Sequence, residues 1–202
     1  MTTPRDLVFV ALDAAAGRPP AQGDLSLALA GAELIDLLRA QAVRLDEDLV
    51  VPGYRPMIAD PLLDQAASSL VRQEPYESVD DWLWRRGRGL AAAYLTALEA
   101  DGQLVRHRRH RMPFAAGERV PADTPARRDA ADRWASHEPV LTVLGVAAGI
   151  DDTRGAEEPS VADDAVATVL AAVHDAVREL EAVRQRRAIE DAAFDNIWRG
   201  VG

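Results

Sequence analysis

Residues 27–38 read Leu27-Ala-Leu-Ala-Gly-Ala-Glu-Leu-Ile-Asp-Leu-Leu38, and their spacing decides the fold. Leu27, Ala30, Leu34, Leu37 and Leu38 recur at three- and four-residue intervals, which puts them on one stripe of a helix. Ala28, Ala30, Gly31 and Ala32 fill its middle with small side chains. Such residues let a neighbouring helix approach closely, so this helix belongs in the core. Asp24 or Ser26, just ahead of the stripe, is the expected N-cap.

Working outward, most of the chain keeps the helical period. Leu7, Val10, Ala11 and Ala14 follow a Thr3-Pro4 start, and Gly17-Arg18-Pro19-Pro20 stops that helix. Val43–Val51 differs: two short β-prone runs flank an acidic turn and close at Pro52-Gly53, the pattern of a small hairpin. Asp60-Pro61 starts a helix through Leu62, Leu63, Ala66, Ala67 and Leu70, because Pro is favoured in a first turn. Ser78-Val79-Asp80-Asp81 starts another, with acidic residues that complement the helix dipole. It passes Trp82 and Trp84 to Arg86, breaks at Gly87 or Gly89, and resumes to a Gly102 cap. The two tryptophans do not share a helix face, so at least one is expected in the core.

After Gly102 the segment Gln103–Arg111 reads as extended, giving a helix–turn–strand unit. A Pro- and Gly-rich loop, Pro113–Pro125, leads to helices at Ala126–Ser136, Val140–Ile150 and Val161–Arg187, then a short one through Phe194 and Trp198. Asp151–Pro159 is acidic and polar and is expected to be a mobile loop. The fold class expected is mainly α with one or two small β-hairpins, as a single domain over residues 1–202.

Composition narrows the function. The chain has 202 residues, 48% of them hydrophobic, and a net charge of −10. A chain of this length buries roughly 70% of its unfolded surface and needs no covalent or metal staple. The absence of cysteine excludes disulfides, Cys-ligated zinc and thiol catalysis. All 23 basic residues are arginine and asparagine occurs once, at Asn196, a usage that points to a GC-rich bacterial coding sequence. Met1-Thr2-Thr3-Pro4-Arg5 lacks the basic and apolar regions of a signal peptide. The longest apolar runs, such as Val140–Ile150, fall short of the roughly 20 residues that span a bilayer. The expected location is cytoplasmic, with at most a peripheral place at the membrane.

Catalytic signals are weak. The stretch from Gly87 lacks the third glycine and the preceding strand of a phosphate loop, and no serine sits in a G-x-S-x-G turn. Asp80-Asp81, Asp151-Asp152, Glu157-Glu158 and Asp163-Asp164 sit at helix starts or in loops, where solvated and capping roles are ordinary. His107 and His110 point to opposite faces of an extended segment among arginines that oppose a divalent metal. No catalytic residue, metal site or cofactor is expected.

The arginines are unevenly placed. Arg106, Arg108, Arg109 and Arg111 fall within six residues, and Arg85, Arg86 and Arg88 form a second cluster. A helix from Leu90 to Asp101 is about 18 Å long, and an extended segment travels that distance back in about five or six residues. If the strand folds back along its helix, the clusters merge into one basic patch. Guanidinium groups bind phosphate oxygens bidentately and stay charged, so the patch suits a phosphate-bearing ligand. The alternative is a solvated basic turn whose arginines pair with carboxylates, on this chain or on another copy.

Three stretches together suggest a family. Leu7–Leu12 with Asp13 and Gly17, then Leu29–Leu38 followed by Val43-Arg44-Leu45 and Asp60–Asp64, then Leu98-Glu-Ala-Asp-Gly-Gln-Leu104, resemble the Golgi phosphoprotein 3-like family in order and spacing, as a bacterial member. The resemblance implies a central helical bundle surrounded by amphipathic helices, and a hairpin used in oligomerisation. It also implies a non-enzymatic peripheral membrane protein that binds phosphatidylinositol 4-phosphate. Of two basic positions three apart in the family's lipid pocket, Arg88 retains one and Ala91 occupies the other. The family's pocket tryptophan falls near Ala21, and a further pocket arginine falls on Ala30. The expected partners are an anionic lipid headgroup or phosphate ligand and a second copy of the chain. A scaffold role and a winged-helix-like nucleic-acid binder are the alternatives, and the acidic balance disfavours nucleic acid.

Overall fold

The computed structural model describes residues 2–14, 20–107, 118–150 and 161–199, and gives the backbone alone for 106–107, 118–119 and 192–199. Among the described residues are eight helices and two small antiparallel hairpins, so the fold is mainly α. Helices α1 (Thr3–Ala14) and α2 (Gln22–Arg39) precede the hairpin β1 (Val43–Asp46) and β2 (Leu49–Pro52). Then come α3 (Pro61–Ser68), α4 (Val79–Arg86) and α5 (Leu90–Ala100), and a second hairpin of β3 (Leu104–His107) and β4 (Glu118–Pro121). Helices α6 (Pro125–Ala135), α7 (Pro139–Ala147) and α8 (Asp164–Arg199) complete the order.

The axis of the bundle is α2, which packs against α1, α4, α5, α7 and α8. Every residue from Leu25 to Ile35 is buried, so this helix is enclosed on all sides. Gly31 is what admits α8: a Cβ built there would collide with a methyl of Val173. The indole of Trp82 is fully buried and donates from Nε1 to the Ala30 carbonyl oxygen at 3.1 Å, fixing α4 against the same helix. Trp84, two residues on, is only half-buried.

Local chemistry sets several boundaries. The Asp60 side chain accepts from the amides of Leu62 and Leu63 and starts α3, while the Ser78 hydroxyl accepts from Asp81 and starts α4. The β1–β2 hairpin is pinned to the start of α4 by Val50 N–H donating to the Glu77 carbonyl and Val79 N–H donating to the Asp48 carbonyl.

Three expectations need correction. Neither Asp24 nor Ser26 caps α2: the N-cap is Ala21, without a side-chain hydrogen bond. Asp24 instead binds Arg184, and the Ser26 hydroxyl accepts from the Ala91 amide. The segment read as a loop contains β4, whose partner is β3, from Leu104↔Pro121 to His107↔Glu118. The C-terminal helix is continuous: α8 runs 36 residues and absorbs the short helix expected through Phe194 and Trp198. The expected loop Asp151–Pro159 lies outside the described residues.

Filling the α2–α8 contact overpacks the core. Gly31→Ala is expected to lower the unfolding free energy in urea by about 1–3 kcal/mol, and an unchanged value would show that the two helices can separate freely.

Candidate functional site

The arginines at and just past the end of α4 divide into two that are engaged and one with no ion pair among the described residues. Arg86 donates from Nε and Nη2 to the Glu33 carboxylate at 2.7 and 2.9 Å, and the Tyr94 hydroxyl donates to the same carboxylate at 2.9 Å. Glu33 is fully buried on α2. Arg86 also donates to the Leu62 carbonyl at 3.0 Å and to Gln65 Oε1 at 3.2 Å, so one guanidinium joins α2, α3 and α4. Burial pushes the Glu33 carboxyl up, against the opposing pull of Arg86 and Tyr94. The Tyr94 phenol is raised well beyond its usual range, first by burial and then by the adjacent carboxylate. Arg86, held by Glu33, stays charged.

Arg85 is also engaged. Its Nε and Nη2 reach the Glu77 carboxylate at 2.9 and 2.7 Å, and its guanidinium carbon lies 5.1 Å from the centre of the Trp82 ring. Arg88 is exposed and has no ion pair among the described residues. The arginines of the second cluster are placed less fully. Arg106 stands in β3 opposite Arg119 of β4, and Arg108, Arg109 and Arg111 lie outside the described residues. The expected merger of the two clusters therefore falls partly outside them as well.

Arg88 borders a cleft of about 310 Å³ where the starts of two helices meet. From α2 it is lined by Gln22, Gly23, Ser26 and Leu27, and from the α4–α5 corner by Trp84, Gly87, Arg88, Gly89, Ala91 and Ala92. Leu180 of α8 closes one side. The corner exists because Gly89 takes a φ of +69°, a conformation that side chains disfavour. The contact between Ala91 N–H and Ser26 Oγ, 3.1 Å long, binds the two helix starts together.

Neither start is capped by its own N-cap side chain. In α2 the first helical bond runs from Leu25 N–H to Ala21, which leaves the amides of Gln22, Gly23 and Asp24 without a protein acceptor among the described residues. In α5 the amides of Leu90, Ala91 and Ala93 are satisfied, but that of Ala92 has no such partner. Uncapped amides and the positive end of each helix dipole favour an anion. The cleft thus offers two dipole ends, one guanidinium and the apolar faces of Leu27, Trp84 and Leu180.

The clustering of arginines was legible in the sequence, but the partners of Arg85 and Arg86 were not. Glu33 lies 53 residues from Arg86, and its only local signal is one acid inside an apolar run. Asp24 has the sequence position of a cap and serves Arg184 instead.

The architecture is that of a mainly helical domain with two small antiparallel hairpins and a cleft at the rim of its bundle. The family model for Golgi phosphoprotein 3 (GPP34) matches residues 4–195, and the chain belongs to that family. Comparison with curated protein sequences finds no match.

Breaking the Arg86–Glu33 pair from one side strands a charge in the core. Arg86→Met is expected to cost about 3–5 kcal/mol in urea unfolding, and adding Glu33→Met should recover most of it. A loss under about 1 kcal/mol for the single change would show that water reaches Glu33.

Proposed function

We propose that this chain is a non-enzymatic domain that binds a phosphate-bearing headgroup in the cleft beside Arg88 and thereby attaches peripherally to an anionic membrane. The single observation that carries this reading is the convergence of two uncapped helix starts with an arginine that has no ion pair among the described residues. Membership of the Golgi phosphoprotein 3 family supports it, because phosphatidylinositol 4-phosphate is the ligand that family resemblance implies. In this reading Arg85 and Arg86 brace the corner, and Arg88 meets the phosphate.

No helix among the described residues is long and apolar enough to cross a membrane, which suits peripheral attachment. Arg106, Arg108, Arg109 and Arg111 would supply a less specific electrostatic attraction to the same surface. One observation favours a self-association reading instead: Val105 and Val120 are paired across the second hairpin and are 52% and 38% exposed. An apolar pair of this kind suits a second copy of the chain.

Flotation with phosphatidylcholine vesicles, with and without phosphatidylinositol 4-phosphate, tests the headgroup reading. The wild type is expected to float only with the phosphorylated lipid. Arg88→Ala should weaken binding about fivefold or more, the effect of roughly 1 kcal/mol per basic residue at a membrane surface. Equal flotation of both vesicle types, or none, would sink the proposal.

A further inference from the structure

Arg184 lies beside the same cleft, against Gly23, which lines it together with Leu180. It projects from α8 one turn after Leu180, and its Nη1 donates to Asp24 Oδ1 at 2.7 Å. A Cβ built on Gly23 would lie 2.6 Å from Arg184 Nη2 and 2.8 Å from a methyl of Leu180. Glycine at position 23 is therefore what lets this guanidinium lie against the first turn of α2, whose first amides have no acceptor among the described residues. The pair is only partly buried, with side-chain exposures of 40% and 17%, so the guanidinium is free to exchange partners.

Asp24 creates a problem for an anion at this place. Its carboxylate stands in the first turn of α2, within reach of anything that docks on the amides of Gln22 and Gly23. Paired with Arg184, its charge is offset. An arriving phosphate, with more oxygens and up to two charges, competes with the carboxylate for the same donors.

We propose that Arg184 is the second cation of the cleft: Asp24 holds it when the cleft is empty, and the phosphate of the ligand takes it over on binding. This rests on the headgroup reading given above and adds to it a residue from the far C-terminal helix.

A double-mutant cycle separates this role from simple neutralisation of Asp24. Binding of wild type, Arg184→Ala, Asp24→Asn and the double variant is measured on phosphatidylcholine vesicles carrying phosphatidylinositol 4-phosphate, and in parallel with soluble inositol 1,4-bisphosphate. Arg184→Ala is expected to weaken binding at least fivefold, and Asp24→Asn to strengthen it severalfold. The decisive comparison is within the Asp24→Asn background, where losing Arg184 should still cost fivefold or more. If Arg184 only offsets Asp24, its removal there changes nothing, and the inference is overturned while the headgroup reading stands.

Failure of the wild type to bind either probe overturns both. Loss in the vesicle arm alone assigns the contact to a bilayer-held headgroup, and loss in both arms assigns it to the phosphate itself; each supports the role of Arg184. Arg184→Lys, which keeps the charge, is expected to retain most of the binding, and thermal unfolding of each variant reports whether the fold is intact.

Discussion

A carboxylate in the middle of a helical core has to be answered, and the answer organises this molecule. Glu33 is fully buried on α2, the helix that α1, α4, α5, α7 and α8 pack against. Leaving it unpaired would cost several kcal/mol, so α4 must bring Arg86 to it and α5 must bring Tyr94. Those two helices are thereby set in register on α2. The corner between them, from Gly87 to Gly89, is held beside the start of α2 as a result. The cleft is a geometric consequence of an ion pair that lies outside it.

That arrangement separates arginines by task. Arg86 and Arg85 are spent on Glu33 and Glu77, where they stabilise the scaffold. Arg88, two residues further on, passes the end of α4 and emerges at the cleft. Proximity in sequence therefore says little about role: a shift of two or three residues at a helix terminus turns a guanidinium from the core to the rim. The net charge of −10 is an average over such roles, and many carboxylates here serve arginines of the same chain.

What could be read from sequence was what local chemistry controls. The helix starts at Asp60-Pro61 and Ser78, the β1–β2 hairpin and the break at Gly87–Gly89 each depend on a few adjacent residues, and all are found in the structure. The core position of α2 followed from its small residues, because Gly31 meets Val173 as close helix packing demands. Contacts between distant residues were not legible. β4 exists because β3 pairs with it, and the Pro and Gly residues around it masked a four-residue strand. The start of α2 was misplaced because Asp24 and Ser26 look like caps while serving Arg184 and Ala91. Arginine clustering was visible, yet its division into bracing and free groups depended on carboxylates far along the chain.

The central claim is that the uncapped amides of α2 and α5 receive a phosphate. Amide chemical shifts in a titration with soluble inositol 1,4-bisphosphate test it most directly. The account predicts saturable shifts concentrated at Gln22, Gly23, Asp24 and Ala92, the amides of these two helix starts without a protein acceptor among the described residues. Shifts confined to the Arg106–Arg111 run, or no saturable shift at all, would contradict it.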